Sequence, residues 1–282
     1  MDVPISRNFR RGLACLACTA LFGGLAWLIF DLWRDQQIRG MTDAHVQEII
    51  SMLDLEDTST FHRRIDSIRI FVNDHSTHKI DQAFRANQGN SAAFAAGVAA
   101  HAKRLSTDRV HMECSTRSNL MASILNALGY ETRIVAVFDS DSNLRGHSFL
   151  EVRNPETKRW ETQDPDYDIY WRRLSSNERA SLAAEAEKID DVEPCGRESC
   201  GWRHVSREGI PASKIKGYLD IISITSRGGD LRYALYTSRA DLTKVYTKRG
   251  KKGVFCEVES KRCKQGLYSV TEFGLARERF DN

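Results

Sequence analysis

Between Glu113 and Pro165 the chain spells one apolar-periodic helix followed by three short β-type runs. This order limits the fold more than any other feature of the 282 residues. Leu120, Met121, Ile124, Leu125 and Leu128 recur at helical spacing and stop at Gly129, a residue suited to a helix C-terminus. Arg133–Phe138 follows as a β-branched run, then Gly146–Val152, where His147, Phe149 and Glu151 alternate with Ser148, Leu150 and Val152. Trp160–Asp164 reads as the third strand and ends at Pro165, which cannot continue a central ladder.

One chemically capable side chain stands at a defined place on each of three of these elements. Cys114 opens the helix, where unpaired backbone N–H groups and the positive end of the dipole stabilise a thiolate. His147 starts its strand and has a fixed facing. A neighbouring imidazole both supports the anion and delivers a proton to a leaving amine. Asp164 closes the next strand, where a carboxylate holds the imidazole in one tautomer. Asp166 and Asp168 are rival acids. Asp164 is preferred because it directly follows the strand, whereas the rivals lie beyond Pro165. Taken singly, a helical Cys is most often a small buried hydrophobe and a strand His a structural group. The combination in this order is far more specific.

These residues resemble the core of the transglutaminase-like superfamily of papain-fold cysteine enzymes. The matches are Cys114 at a helix start, Leu128-Gly129-Tyr130-Glu131-Thr132-Arg133 at its end, Gly146-His147-Ser148-Phe149-Leu150-Glu151-Val152, and Trp160 through Asp164-Pro165, about a fifth of the chain. The resemblance implies an α+β fold in which a Cys-bearing helix packs on an antiparallel sheet bearing the His and the Asp. It makes Cys114 the nucleophile, His147 the general acid/base and Asp164 the orienting acid of a peptidase, amidase or acyltransferase that needs no metal or organic cofactor. Three positions depart from the family pattern: Met112 stands where Gly is common two residues before the Cys, Phe149 replaces the usual Trp, and Asp166 replaces the usual Thr. Met112 and Asp166 are the sequence support for an alternative, a non-catalytic envelope module that binds partners in the same cleft.

The N-terminus bears on location. Gly12–Phe30 is an uncharged run reaching about 28 Å as a helix, enough to cross a bilayer core. Arg7, Arg10 and Arg11 precede it, which sets the first eleven residues in the cytoplasm and the rest across the membrane. No small-x-small site closely follows, so an uncleaved signal anchor is expected over a cleaved signal peptide. The expected location is the bacterial inner membrane, with a periplasmic C-terminal part meeting protein or peptide substrates of the envelope. The near-neutral balance and the lack of any phosphate-loop pattern give nucleic acid and nucleotides no support.

Cysteine usage fits an oxidising compartment. Cys195 with Cys200, and Cys256 with Cys263, make two local disulfides and leave Cys114 free. A rival set of zinc ligands is Cys195, Cys200 and His204, though a fourth ligand is missing. Residues 31–105 read as a helical region packing on the core. His45, His62, His75, His78 and His101 there show no ligand spacing and are treated as surface or capping groups, and His111 as a substrate contact on the approach loop. The catalytic core is expected over 106–204, including a helix over Ser175–Glu187 capped by Ser176. Residues 205–282 read as β-rich, with strands at Tyr218–Ile224 and Leu231–Tyr236 and a hairpin of Val254–Glu257 with Gly266–Val270. The basic run Lys248–Lys252 is a solvated turn, or else a surface for anionic lipid or envelope polymer.

Overall fold

The structure is a computed structural model that describes residues 30, 32–53, 55, 60–138, 146–219, 221–225, 231–236, 244–249 and 252–257. Helix α1 covers 32–52. It is followed by α2 (Phe61–Asp74), β1 (Ser76–His78), α3 (Gln82–Asn87), α4 (Ser91–Ala102), β2 (Val110–Met112) and α5 (Cys114–Ala127). The chain then turns to β3 (Thr132–Phe138), β4 (Gly146–Arg153), β5 (Trp160–Asp164) and β6 (Ile169–Arg173). After α6 (Leu182–Glu185) and a 3₁₀ turn come β7 (Val192–Cys195), the two-residue strands β8 (Ser206–Arg207) and β9 (Ile210–Pro211), and β10 (Ile221–Thr225), β11 (Leu231–Tyr236), β12 (Lys244–Arg249) and β13 (Lys252–Glu257).

Seven strands form one sheet in the order β11-β10-β3-β4-β5-β6-β7, and every neighbouring pair is antiparallel. The alternation of β3 and β4 separates two cores. Ile134, Leu150 and Val152 face α2, α4 and α5, where Ile65, Ile68, Val98, Met121, Ile124 and Leu125 pack. Val135, Val137 and Phe149 face the other layer, with Trp171, Leu182, Ile215 and Leu219. Burying both faces of the central strands explains their near-continuous apolar content.

The mixed helix-and-antiparallel-sheet architecture expected for the core is present, and Cys114 opens its helix on that sheet. Gly129 takes a left-handed φ of +87° just past the end of α5, the conformation that ends a helix most cheaply when no Cβ is present.

Two local expectations are corrected. Ser175–Glu187 is not one helix: Arg179 bridges Arg172 and Ala180 bonds to both Trp171 and Thr162, so only Leu182–Glu185 is α-helical and Ser181 is its cap. The stretch read as wholly helical contains β1, which pairs in parallel with β2 and so fixes the approach to Cys114. Strand β13, containing Val254–Glu257, has β12 as its described partner, with Arg249 opposite Lys252, and the expected partner 266–270 lies outside the described residues.

The Cys256–Cys263 pairing and most of the proposed anchor, Gly12–Phe30, lie outside the described residues. Among the described residues no helix is long and apolar enough to cross a membrane.

Candidate active site

Cys114 is the first residue of α5 and is half-buried. Among the described residues it is the free cysteine. Glu113 sits at the N-cap in an extended conformation yet makes no capping bond; its carboxylate instead accepts from the Ser115 hydroxyl at 2.5 Å. The N-terminus of α5 therefore lacks the side-chain acceptor that usually satisfies it, and its partial positive charge is left for the sulfur and its surroundings.

His147 is presented by the sheet. Strand β4 pairs with β5 so that Leu150 opposes Gln163. One residue further, Asp164 comes beside Phe149, and His147, on the same face as Phe149, becomes the diagonal neighbour of Asp164. The two side chains meet there, His147 Nε2 lying 2.6 Å from Asp164 Oδ2, with Asp164 fully buried and His147 nearly so. The other oxygen, Oδ1, accepts from the backbone N–H groups of Asp166 (2.9 Å) and Tyr167 (3.2 Å). This is an Asx-type turn that fixes which oxygen faces the ring. With Nε2 so engaged, Nδ1 is the ring nitrogen left for a thiol, and the Cys114 sulfur lies near enough to this imidazole to raise its pKa. Tyr167 meets the ring edge-on, with centroids 5.3 Å apart.

Burial acts to lower the pKa of His147. The Asp164 charge, its hydrogen bond and the Cys114 sulfur act in the opposite direction and prevail, holding the imidazolium well above its ordinary range. A protonated ring beside a sulfur is the electrostatic state that thiol chemistry requires.

The rival acids occupy different positions. Asp166 is fully buried, and its Oδ2 lies 3.9 Å from His147 Nδ1. Its Oδ1 contacts Arg117 Nη1 (3.1 Å) and His78 Nδ1 (2.9 Å), and Oδ2 pairs with Arg207. Burial opposes its ionisation, but the His78 hydrogen bond and the charges of His147 and Arg207 outweigh burial and depress its pKa strongly. Asp168 turns away from the ring and binds Arg69 and Arg197.

The sequence reading missed this second layer. His78 had been set aside as a surface group, and Arg117 and Arg207 were not singled out. Arg117, one turn after Cys114, is 2% exposed. Its guanidinium ties the Cys-bearing helix to the turn that carries Asp164 and Asp166. A charged residue within the helix one turn after the cysteine is the one local signal in the sequence. His62 binds Glu161, and His111 meets Asp81.

Cys195 and Cys200 form a disulfide and also bridge as neighbouring strand residues. The bond occupies both sulfurs that the rival zinc set needs. Among the described residues, the metal-ligating group that clusters with them is Glu193, and His204 is not part of it.

No family model matches the chain, and no curated protein does. Among solved structures it is similar to a TGase, at 20% identity and a TM-score of 0.31 over 52% of this chain and 36% of that one. It is similar to a cysteine protease candidate from Cytophaga hutchinsonii, at 10% identity and a TM-score of 0.31 over 70% and 54%. A third similarity is to Rad4–Rad23 bound to a 6-4 photoproduct UV lesion, at 11% identity and a TM-score of 0.33 over 69% and 44%. The chain thus spans about a third to a half of the length of these structures. Similarity at this level leaves the chemistry to be read from the side chains themselves.

Proposed function

We propose that this protein is a cysteine enzyme that opens carboxamide bonds through a thioester, with Cys114 as nucleophile, His147 as general acid/base and Asp164 as orienting acid. The observation that carries the reading is the buried 2.6 Å Asp164–His147 pair, with Cys114 at the first residue of a helix and its sulfur acting on the same imidazole.

In this mechanism the Cys114 sulfur attacks the carbonyl carbon and a C–S bond forms while the carbonyl oxygen gains the negative charge. The backbone N–H of Cys114 faces that oxygen from the uncapped helix start. Collapse of the adduct breaks the C–N bond. The departing amine takes the proton of the His147 imidazolium, leaving a thioester and a neutral ring. The ring then accepts a proton from the incoming nucleophile, which displaces the sulfur and restores the starting state. With water the product is a carboxylate, and the enzyme is a peptidase or amidase; with a lysine amine it is a new amide, and the enzyme is a transglutaminase. Hydrolysis is the favoured reading, on the resemblance to the bacterial branch of the superfamily.

The same proposal places the protein in a bacterial inner membrane, with the described part in the periplasm. Phe30 at the end of the apolar run and Leu32 and Trp33 at the start of α1 are exposed, which supports a position at a membrane surface, the belt that aromatic residues favour. The Cys195–Cys200 disulfide suits that compartment.

A thiol-directed activity probe tests the chemistry. Labelling of the native full-length protein is expected to vanish in Cys114→Ser and fall sharply in His147→Ala. Equal labelling of native and denatured chain would overturn the assignment. Incubation with a labelled amine and an envelope extract separates cleavage from incorporation. Release of the protein from membranes by alkaline carbonate would refute the anchor.

A further inference from the structure

Against the Asp166–Tyr167 turn lies a cavity of about 460 Å³, and four of its wall residues, Arg117, Asp166, Tyr167 and Arg207, belong to the surroundings of His147 described above. Asp166 lines it while standing 3.9 Å from His147 Nδ1, and Tyr167 lines it while touching the ring. The rest of the wall comes from the end of α2, the start of β1, the residue before β2, Arg117 of α5, Asp168, the disulfide-closed loop and residues 204–208 around β8. Small-molecule pockets are ordinarily lined mostly by apolar and aromatic side chains. In this one Val205 is the single aliphatic lining residue among those described. A lining of this kind disfavours an apolar side chain, which would strip water from polar groups without replacing their hydrogen bonds.

The charges in the wall fall into two sets. The deeper ones are satisfied internally: Arg117 and Arg207 by Asp166, and Arg197 by Asp168 and Asp74. Arg109 and Glu198 are different. Both are exposed, both line the cavity, and neither has an ion-pair partner among the described residues. Glu208 adds a second carboxylate at the rim, bonded only to the Thr77 hydroxyl. The free charge around the cavity therefore has both signs.

We propose that this cavity is a substrate subsite for a zwitterionic peptide segment, one that carries a free carboxylate for Arg109 and a free ammonium for Glu198 and Glu208. The proposal deepens the reading of Cys114 and His147 as the reacting pair and rests on it, because Asp166 and Tyr167 wall the cavity on one side and neighbour the His147 ring on the other. It assigns the enzyme to peptides with uncapped termini or with amino-acid-like branches near the scissile bond. The disulfide gains a role, since it closes the loop that carries Glu198 and Arg197 against the cavity.

Four peptides of one backbone test it by calorimetry on the full-length protein: glycylglycine, N-acetylglycylglycine, glycylglycinamide and N-acetylglycylglycinamide. The doubly charged peptide is expected to bind best, and each lost charge to weaken binding about fivefold, the scale of one solvent-accessible ion pair. Arg109→Ala is expected to erase the advantage of a free carboxylate and keep that of a free ammonium. Glu198→Gln should weaken the preference for the ammonium and leave the carboxylate preference intact. Both residues are exposed and unpaired, so these variants keep the fold. Equal binding of all four peptides, or preferences unchanged in both variants, would overturn the proposal. Alkylation of Cys114 by iodoacetamide, followed in parallel, reports separately on the reacting pair: an unactivated sulfur with intact peptide selectivity would sink the enzymatic reading and leave the subsite standing.

Discussion

Replacing Asp164 by Asn is the sharpest single perturbation of this site. The side chain keeps its shape, and Oδ1 must stay where it is because two backbone N–H groups, from Asp166 and Tyr167, point at that position. The new amide NH₂ is therefore forced onto the position of Oδ2, 2.6 Å from His147 Nε2. A donor now faces the ring, so Nε2 must become an acceptor and the proton moves to Nδ1, the nitrogen that should serve the sulfur. The variant loses a charge-assisted hydrogen bond worth about 1.5–3 kcal/mol and makes a mismatch of about 1–3 kcal/mol in the imidazolium state. The sum, about 2.5–6 kcal/mol, corresponds to a rate loss of roughly 10²- to 10⁴-fold. The assay is the pH dependence of Cys114 alkylation, read by intact mass, beside turnover of whichever amide substrate is established. In the wild type the folded-state pKa of His147 is raised above the ordinary 6.5. The pairing therefore contributes stability that is complete below about pH 6.5 and is lost as pH climbs through the folded value. Asp164→Asn should flatten that part of the stability profile while melting as one cooperative unit. Alkylation and turnover within about threefold of wild type, with an unchanged pH profile, would refute the reasoning.

Asp166→Ala should destabilise the protein by about 3–5 kcal/mol, because it strands the buried Arg117 guanidinium, and urea denaturation measures this. Gly146→Ala should cost stability and dislodge His147: the added Cβ would sit 2.4 Å from the Val137 carbonyl oxygen, and circular dichroism melts with Cys114 probe labelling would register both effects. Breaking Cys195–Cys200 by a double Ser substitution should lower stability by about 2 kcal/mol, the loop-closure value for so short a segment, read as a shift in the denaturant midpoint. Ser181→Ala should cost about 1 kcal/mol as a lost cap for α6, and more through its 2.6 Å bond to the buried Glu151.

The parts of the fold that were legible in the sequence are those governed by local pattern. The α5 helix, its stop at Gly129 and the β3, β4 and β5 strands follow from periodicity, because each buries a face that repeats every few residues. The positions of Cys114, His147 and Asp164, each at or next to the end of such an element, follow from the same patterns. The Ser175–Glu187 stretch was misread because its Ala and Glu content favours a helix, while two sheet-edge hydrogen bonds of Ala180, to Trp171 and from Thr162, override that preference. The layer around Asp166 was not legible. His78 reaches it from 88 residues away and Arg207 from 41, and no local signal marks either as its partner. The β12–β13 pairing was missed because a strand's neighbour is a tertiary choice that its own residues do not record.

Asp166 gathers His78 and Arg207, whose separation along the chain spans most of the described protein, onto the Arg117 of the Cys-bearing helix. Such long-range closure comes late in folding, after the local helix has formed. The sulfur and the short helix that carries it are local in sequence, whereas the imidazole and its carboxylates reach them only through contacts far along the chain. On the proposed reading, the sulfur meets its full electrostatic surroundings only once these distant contacts have closed.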